Sequence, residues 1–293
     1  MHKSMGKLFK SLVHESKPLQ VLGAINAYTA MLASSVGAQS LYISGAGVAN
    51  ASYGLPDLAI TSLNDVLEDV RRINYVTQLP VLVDVDTGWG NIFSIARTVK
   101  LMEEAKVAAI HIEDQITSKR CGHRPNKSIV SIEEMGNRIK AAVDARVDPD
   151  FVIMARTDAF AKEGMNAALD RAHYYVELGA DMIFPEALTT LAEYHKFTSA
   201  ISVPILANIT EFGKTPLFTK EELKEVGVGL ILYPLSAFRA MSKAALNVYK
   251  TIINQGTQAS VLDSMQTRNE LYEILKYQEF EDLLDRYTQC SAK

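Results

Sequence analysis

Short apolar runs rich in β-branched residues alternate along the chain with longer stretches whose apolar positions recur at helical spacing. That alternation is the pattern of consecutive βα units around a parallel sheet. Eight runs read as strands: Gln20 to Ala27, Ser40 to Ser44, Pro80 to Val85, Ala109 to Glu113, Phe151 to Arg156, Asp181 to Phe184, Pro204 to Asn208 and Gly229 to Tyr233. Asn91 to Lys106 shows the helical period well. Ile92, Ile95, Ala96, Val99, Leu101, Met102 and Ala105 form the face expected on a barrel wall, with Arg97, Lys100, Glu103 and Glu104 between them. Eight units predict a closed (β/α)8 TIM-type barrel, whose active site lies where strands end and βα loops begin; an open doubly wound sheet usually has fewer strands.

Two stretches exceed a minimal barrel. Asp114 to Val130 is long for a βα connection and rich in charge, which marks it as a lid or active-site loop. After Gly256, Leu271, Ile274, Leu275, Phe280, Leu283 and Leu284 make an apolar stripe on one or two further helices, which must be buried on the barrel or on another subunit. The expected division is a catalytic barrel over 1–256 and a helical extension over 257–293 within the same domain.

Composition adds mainly exclusions. A net charge of -4 gives no global basic field, so nucleic acid and anionic membranes are not expected partners. No apolar run approaches the eighteen or so residues that span a bilayer, and no signal-like apolar segment follows Met1 to Lys7, so a cytoplasmic protein is expected. Cys121 and Cys290 are the only cysteines and form no Cys-x-x-Cys pair, which argues against a disulfide framework or a zinc knuckle.

The chemistry-bearing residues concentrate at the predicted strand ends. Asp84 and Asp86 lie two apart, on one face of the third strand, so both carboxylates can approach one ion; oxygen ligands without histidine suit Mg²⁺. The same alternation puts His111 and Glu113 on one face and Asp114 on the other, with Glu113 reaching a metal through water or serving in a buried salt bridge. Arg156-Thr157-Asp158, Pro185-Glu186 and Asn208-Ile209-Thr210 add a guanidinium fork, a further carboxylate and amide or hydroxyl donors to the same rim. Inside the long loop, cations and a glycine flank Cys121 in Lys119-Arg120-Cys121-Gly122-His123-Arg124, so its thiol can exchange a proton near neutral pH. Gly45-Ala46-Gly47 and Gly88-Trp89-Gly90 do not complete G-x-G-x-x-G, and no P-loop, H-E-x-x-H or G-x-S-x-G motif occurs.

Over nearly its whole length the chain resembles the isocitrate lyase and phosphoenolpyruvate mutase superfamily. The resemblance is carried by Ser44 to Gly47, Gly54-Leu55-Pro56-Asp57, Asp84-Val85-Asp86, KRCGHRPNK over Lys119 to Lys127, Asn208 to Gly213 and Pro234 to Arg239. The cysteine loop is the most specific of these, because superfamily lyases that protonate a released carbanion carry it and mutases generally do not. The resemblance implies cleavage of 2-methylisocitrate, a tricarboxylate, to pyruvate and succinate in propanoate catabolism, with isocitrate and 2,3-dimethylmalate as alternative substrates. It implies substrate contacts from Ser44, Gly45, Ala46, Cys121, Gly122, Arg156, Glu186, Asn208, Thr210, Arg239 and Arg268, and Mg²⁺ at Asp84 and Asp86. Cys121 is then the acid, assisted by His123; Tyr42 is the first candidate for the base, with Asp57 or Glu186 behind it. A helix-swapped homotetramer is implied as well. The chain departs from its relatives at Trp89 and in a shortened stretch after Gly90. A lysine Schiff-base aldolase and a non-catalytic dicarboxylate sensor are the rival readings.

Overall fold

All eight apolar runs form parallel strands. They are β1 (Leu19–Gly23), β2 (Leu41–Ile43), β3 (Val81–Asp84), β4 (Ala109–Glu113), β5 (Val152–Thr157), β6 (Met182–Pro185), β7 (Leu206–Asn208) and β8 (Leu230–Tyr233) in a computed structural model that describes residues 4–119 and 128–290. Strands β1 to β6 pair each with the next, β7 pairs with β8, and β1 pairs with β8, which leaves β6 and β7 unpaired as strands. The remaining gap is closed by a parallel bridge between Ile183 and Ile205, with the Ile183 amide donating to the Pro204 carbonyl at 3.1 Å. The fold is therefore a (β/α)8 barrel. The first strand is shorter than its apolar run predicts, because Asn26 leaves the sheet to cap the helix Ala27–Ser35 in a reciprocal box with Thr29.

Strand alternation separates two apolar cores. Leu41, Ile43, Val81, Val83, Ile110, Ile112, Ile153 and Ile183 point outward into the layer beneath the helices. Leu19, Val21, Tyr42, Leu82, Ala109, Val152, Met154, Met182, Phe184, Leu206, Leu230 and Leu232 fill the barrel. Along the inward rows the chemistry changes with height: Leu82 is followed by Asp84, Ala109 by His111 and Glu113, Met154 by Arg156, and Leu206 by Asn208. Thus the lower barrel is sealed by hydrocarbon and the upper end is polar.

The lower end is plugged by a helix that the strand pattern does not announce, Met5–Glu15, which places Phe9 and Val13 in the inner core. Ser4 starts it: its Oγ accepts from the Lys7 amide at 3.0 Å and donates to Asp148 Oδ2 at 2.6 Å. Gly6 allows the close docking, since a Cβ there would meet the Asp150 carbonyl at 2.1 Å. Phe9 is fully buried. Phe9→Ala is expected to cost about 3–5 kcal/mol in urea unfolding; a loss below about 1 kcal/mol would show that the ring does not seal the barrel.

The long connection after β4 has an ordered base. Gln115 bridges Ile129 in antiparallel fashion, Val130 N–H donates to the Asp114 carbonyl at 2.8 Å, and Arg138 donates to the carbonyls of Glu113 and Gln115. Asp114 points away from the barrel interior, as alternation requires, and receives Thr157 Oγ1 at 2.7 Å, Tyr175 OH at 3.1 Å and the Asp158 amide at 2.8 Å. Arg171 joins this buried set and donates to the Val130 carbonyl at 3.0 Å.

The chain divides into compact units after Phe238, inside the helix Ser236–Gln255. The second unit, Arg239–Lys293, holds the rest of that helix with Arg268–Leu275 and Tyr277–Cys290. Its apolar side chains Leu246, Tyr249, Ile253, Phe280, Leu284 and Tyr287 are exposed in the single chain. Among the described residues, no helix is long and apolar enough to cross a membrane.

Candidate active site

The polar end of the barrel is built around Asp84 and Asp86. Asp84, the last residue of β3, accepts from the Gly45 amide at 3.1 Å and from the Asp86 amide at 3.0 Å. Gly45 follows Ser44 at the end of β2, and a Cβ on it would lie 3.1 Å from Asp84 Oδ2 and 3.2 Å from Asp86 Oδ1. The two carboxylates therefore flank one small cradle that only glycine leaves open. Burial opposes the charge on Asp84, but His111, Lys119, Arg156 and the Asp86 amide hold its pKa at about 2. Burial and the Asp84 charge push Asp86 up to about 7. Two adjacent carboxylates so divided share one proton where a cation is absent.

Lys119 and Arg156 are the two cations of the described rim. Lys119 Nζ lies 2.7 Å from Asp57 Oδ1 and also contacts Asp86. Burial works against its charge, yet Asp86, Glu113, Asp84 and Asp57 keep it well above an ordinary lysine. A lysine so firmly protonated is no amine nucleophile, which counts against the Schiff-base reading. Arg156 contacts Asp158 at 3.0 Å, Glu186 at 3.2 Å and Glu113 at 3.4 Å, with its guanidinium carbon 5.0 Å from the centre of the Phe184 ring. Glu113 is fully buried; burial pushes its pKa well up, and its Oε1 has no hydrogen-bond partner among the described residues. Asp57, Asp84, Asp86, Glu113, Asp158 and Glu186 thus surround two cations.

That excess of carboxylate, the orphaned Glu113 oxygen and the cradle at Gly45 fit a divalent metal held by Asp84 and Asp86. Among the described residues no three acidic, histidine or cysteine side chains converge as a ready-made ligand set. Oxygen-ligated ions that keep several waters and take other ligands from substrate need no such set.

Tyr42 approaches the pair from below. Its hydroxyl lies 2.9 Å from His111 Nε2 and 3.5 Å from Asp84 Oδ2, with the two rings stacked. Burial pushes His111 down to about 4, so the imidazole is neutral, and burial together with Asp84 pushes the Tyr42 phenol well up. Asn208 Nδ2 donates to Glu186 Oε2 at 3.5 Å. Thr210, two residues on, is buried, as is Ser44, while Ala46 is half-buried. Cys121, Gly122 and His123 lie outside the described residues. Arg239 and Arg268 lie in the second unit, exposed in the single chain. His111 and Asp158 receive no role from the sequence, although each stands two residues from a rim residue on its own strand or strand end, and Lys119 enters the sequence reading as a cation flanking Cys121 and as the lysine of the aldolase alternative.

A parallel barrel with a sealed floor and a carboxylate-lined, metal-fitting mouth defines an enzyme that handles small anionic substrates. The chain belongs to the phosphoenolpyruvate phosphomutase family, whose model matches residues 9–253. It is 60% identical over 292 residues to 2-methylisocitrate lyase of Vibrio cholerae serotype O1, covering 98% of this chain and 95% of that one. It is also similar to the crystal structure of 2,3-dimethylmalate lyase, a PEP mutase/isocitrate lyase superfamily member, with a TM-score of 0.90, 30% identity and coverage of 97% of this chain and 95% of that one. Phosphonopyruvate hydrolase in complex with oxalate and Mg²⁺ matches with a TM-score of 0.85, 29% identity and coverage of 98% of this chain and 100% of that one.

Proposed function

We propose that the protein is a 2-methylisocitrate lyase that uses Mg²⁺ to cleave its substrate into pyruvate and succinate. The observation that carries this reading is the Asp84–Asp86 cradle at Gly45, in a chain 60% identical to a lyase of that name. When bound by Asp84 and Asp86, with Glu113 behind them, Mg²⁺ supplies a Lewis acid for the α-hydroxycarboxylate half of the substrate.

The chain's own residues supply the proton transfers. Asp57 and Glu186 are each already committed to an ion pair, with Lys119 at 2.7 Å and Arg156 at 3.2 Å. Tyr42 is left as the base, held in place by neutral His111. As its oxygen takes the hydroxyl proton, the phenol's own proton passes to the neutral imidazole of His111, 2.9 Å away, while the carbonyl of pyruvate forms and the carbon-carbon bond breaks. The electron pair passes to the carbon beside a succinate carboxylate, and Cys121 returns a proton to that carbon. Arg156, Asn208, Thr210 and the Ser44–Ala46 turn would hold the carboxylates; the roles of Gly122, His123, Arg239 and Arg268 rest on the family resemblance.

Selectivity for the methyl group is assigned to Leu235 and Phe238. Leu235 Cδ2 lies 3.2 Å from where a Cβ on Gly47 would stand, so this apolar side chain borders the glycine turn beside the metal cradle. One methyl is worth about 1–3 kcal/mol in such a pocket. The exposed apolar residues of the second unit accord with a helix-swapped homotetramer, and we place the protein in the cytoplasm.

The test is kcat/KM for 2-methylisocitrate, isocitrate and 2,3-dimethylmalate on one purified sample with Mg²⁺. 2-Methylisocitrate is expected to lead by about tenfold or more. A preference for either alternative would move the assignment within the superfamily, and no cleavage of any of the three would remove it.

A further inference from the structure

The turn bearing the two aspartates and the segment bearing Asp57 are joined by a residue outside the proposed chemistry. Asp86 and Trp89 both have left-handed backbone, at φ 49° and 54°. A bulky side chain rarely adopts that conformation, and where it does the surroundings must hold it there. Here the turn delivers the indole of Trp89 to segment 53–61, and its Nε1–H donates to the Thr61 carbonyl at 3.1 Å. The ring also packs, half-buried, against the outer core.

Segment 53–61 has no regular secondary structure and lies between the π-helical turn Val48–Ser52 and the helix Leu63–Val76. Near its middle, Asp57 binds Lys119 at 2.7 Å, and Lys119 in turn contacts Asp86. Chain and contacts together form a closed ring: from Asp86 along the turn to Trp89, across to Thr61, back along the segment to Asp57, and through Lys119 to Asp86. Asp57 can meet Lys119 over the cradle only while the segment stays in place, and the indole N–H is a tie that fixes one end of it.

We propose that Trp89 is a positioning residue: its indole N–H holds segment 53–61 where Asp57 fixes Lys119 against Asp86. A phenyl ring at this position fills much of the same space but has no N–H. Phenylalanine therefore separates the donor from the bulk of the ring. The kinetic arm of the test rests on the lyase reading; the structural arm does not.

The variants are Trp89→Phe, Asp57→Asn and the double variant. Amide hydrogen exchange of peptides spanning residues 53–61 is followed without metal or substrate. Trp89→Phe is expected to speed exchange there by about five- to tenfold, the scale of one lost hydrogen bond, with little change elsewhere. Turnover of 2-methylisocitrate should fall by a similar factor, in kcat more than in KM. Because Trp89 acts through Asp57, Trp89→Phe should add less than about twofold in the Asp57→Asn background. Unchanged exchange across 53–61, or factors that multiply in the double variant, would overturn the proposal. Should Trp89→Phe fail to fold, Trp89→Met carries the same expectations. A parent chain that does not turn over 2-methylisocitrate, yet shows the exchange response, would remove the lyase assignment and leave the role of Trp89 standing.

Discussion

Replacing Cys121 with serine is expected to lower turnover of 2-methylisocitrate by about 10² to 10⁴ fold, the usual worth of general acid catalysis. A thiol titrates near pH 8.5 in isolation, whereas a serine hydroxyl is a far weaker acid and cannot deliver its proton to carbon at a comparable rate. Lys119, two residues before Cys121 in the sequence, stands at the rim in contact with Asp57 and Asp86. The contacts assigned to Arg156, Asn208 and Thr210 do not involve sulfur, so binding of succinate and pyruvate, measured as product inhibition or by calorimetry, should persist in the variant. Turnover within threefold of the parent would take the proton-donor role away from Cys121. Loss of product binding together with turnover would make the thiol a binding group instead.

Removal of divalent metal is expected to have an effect at least as large. Among the described residues, six carboxyl groups surround Lys119 and Arg156, so this part of the mouth is short of positive charge. Substrate carboxylates would meet that surplus directly unless a cation intervened. Treatment with chelator should lower activity by about 10³ fold or more, and millimolar Mg²⁺ should restore it. Asp84→Asn should abolish that recovery, since the amide keeps the shape of the side chain but not its charge. Asp86, raised to about 7 in the metal-free site, also predicts a direction with pH. Below that value its proton competes with the cation, so the Mg²⁺ concentration needed for half-recovery should rise as pH falls. Full activity in excess chelator would contradict the metal assignment.

The parts of this site that were legible in the sequence obey a local rule. A strand repeats every two residues, so His111 and Glu113 could be assigned to one face and Asp114 to the opposite one without coordinates, whereas Asp86 lies past the end of β3 in left-handed backbone and reaches Asp84 from the turn rather than by alternation. The apolar runs marked all eight strands because a strand buried on both faces is continuously hydrophobic. What could not be read depends on contacts between distant segments. Nothing in the spacing of Asp57, Asp86 and Lys119 states that one ammonium joins two loops. The Met5–Glu15 plug shows a different failure. Leu8, Phe9, Leu12 and Val13 do recur at helical spacing, but they precede the first strand and so fall outside the βα repeat that organised the reading. Gly45-Ala46-Gly47 was informative for another reason than its resemblance to a phosphate loop. Its first glycine makes room for the carboxylates and donates its amide to Asp84.

Trp89 is the only tryptophan of the chain. Its ring sits on the turn that begins with Asp86, so the intrinsic indole fluorescence of the whole protein originates within a few residues of the metal cradle. A change in emission on adding a divalent ion or a product therefore reports on that one turn, with no background from a second tryptophan. The same side chain that ties segment 53–61 to the mouth of the barrel makes the unlabelled protein its own optical probe of occupancy.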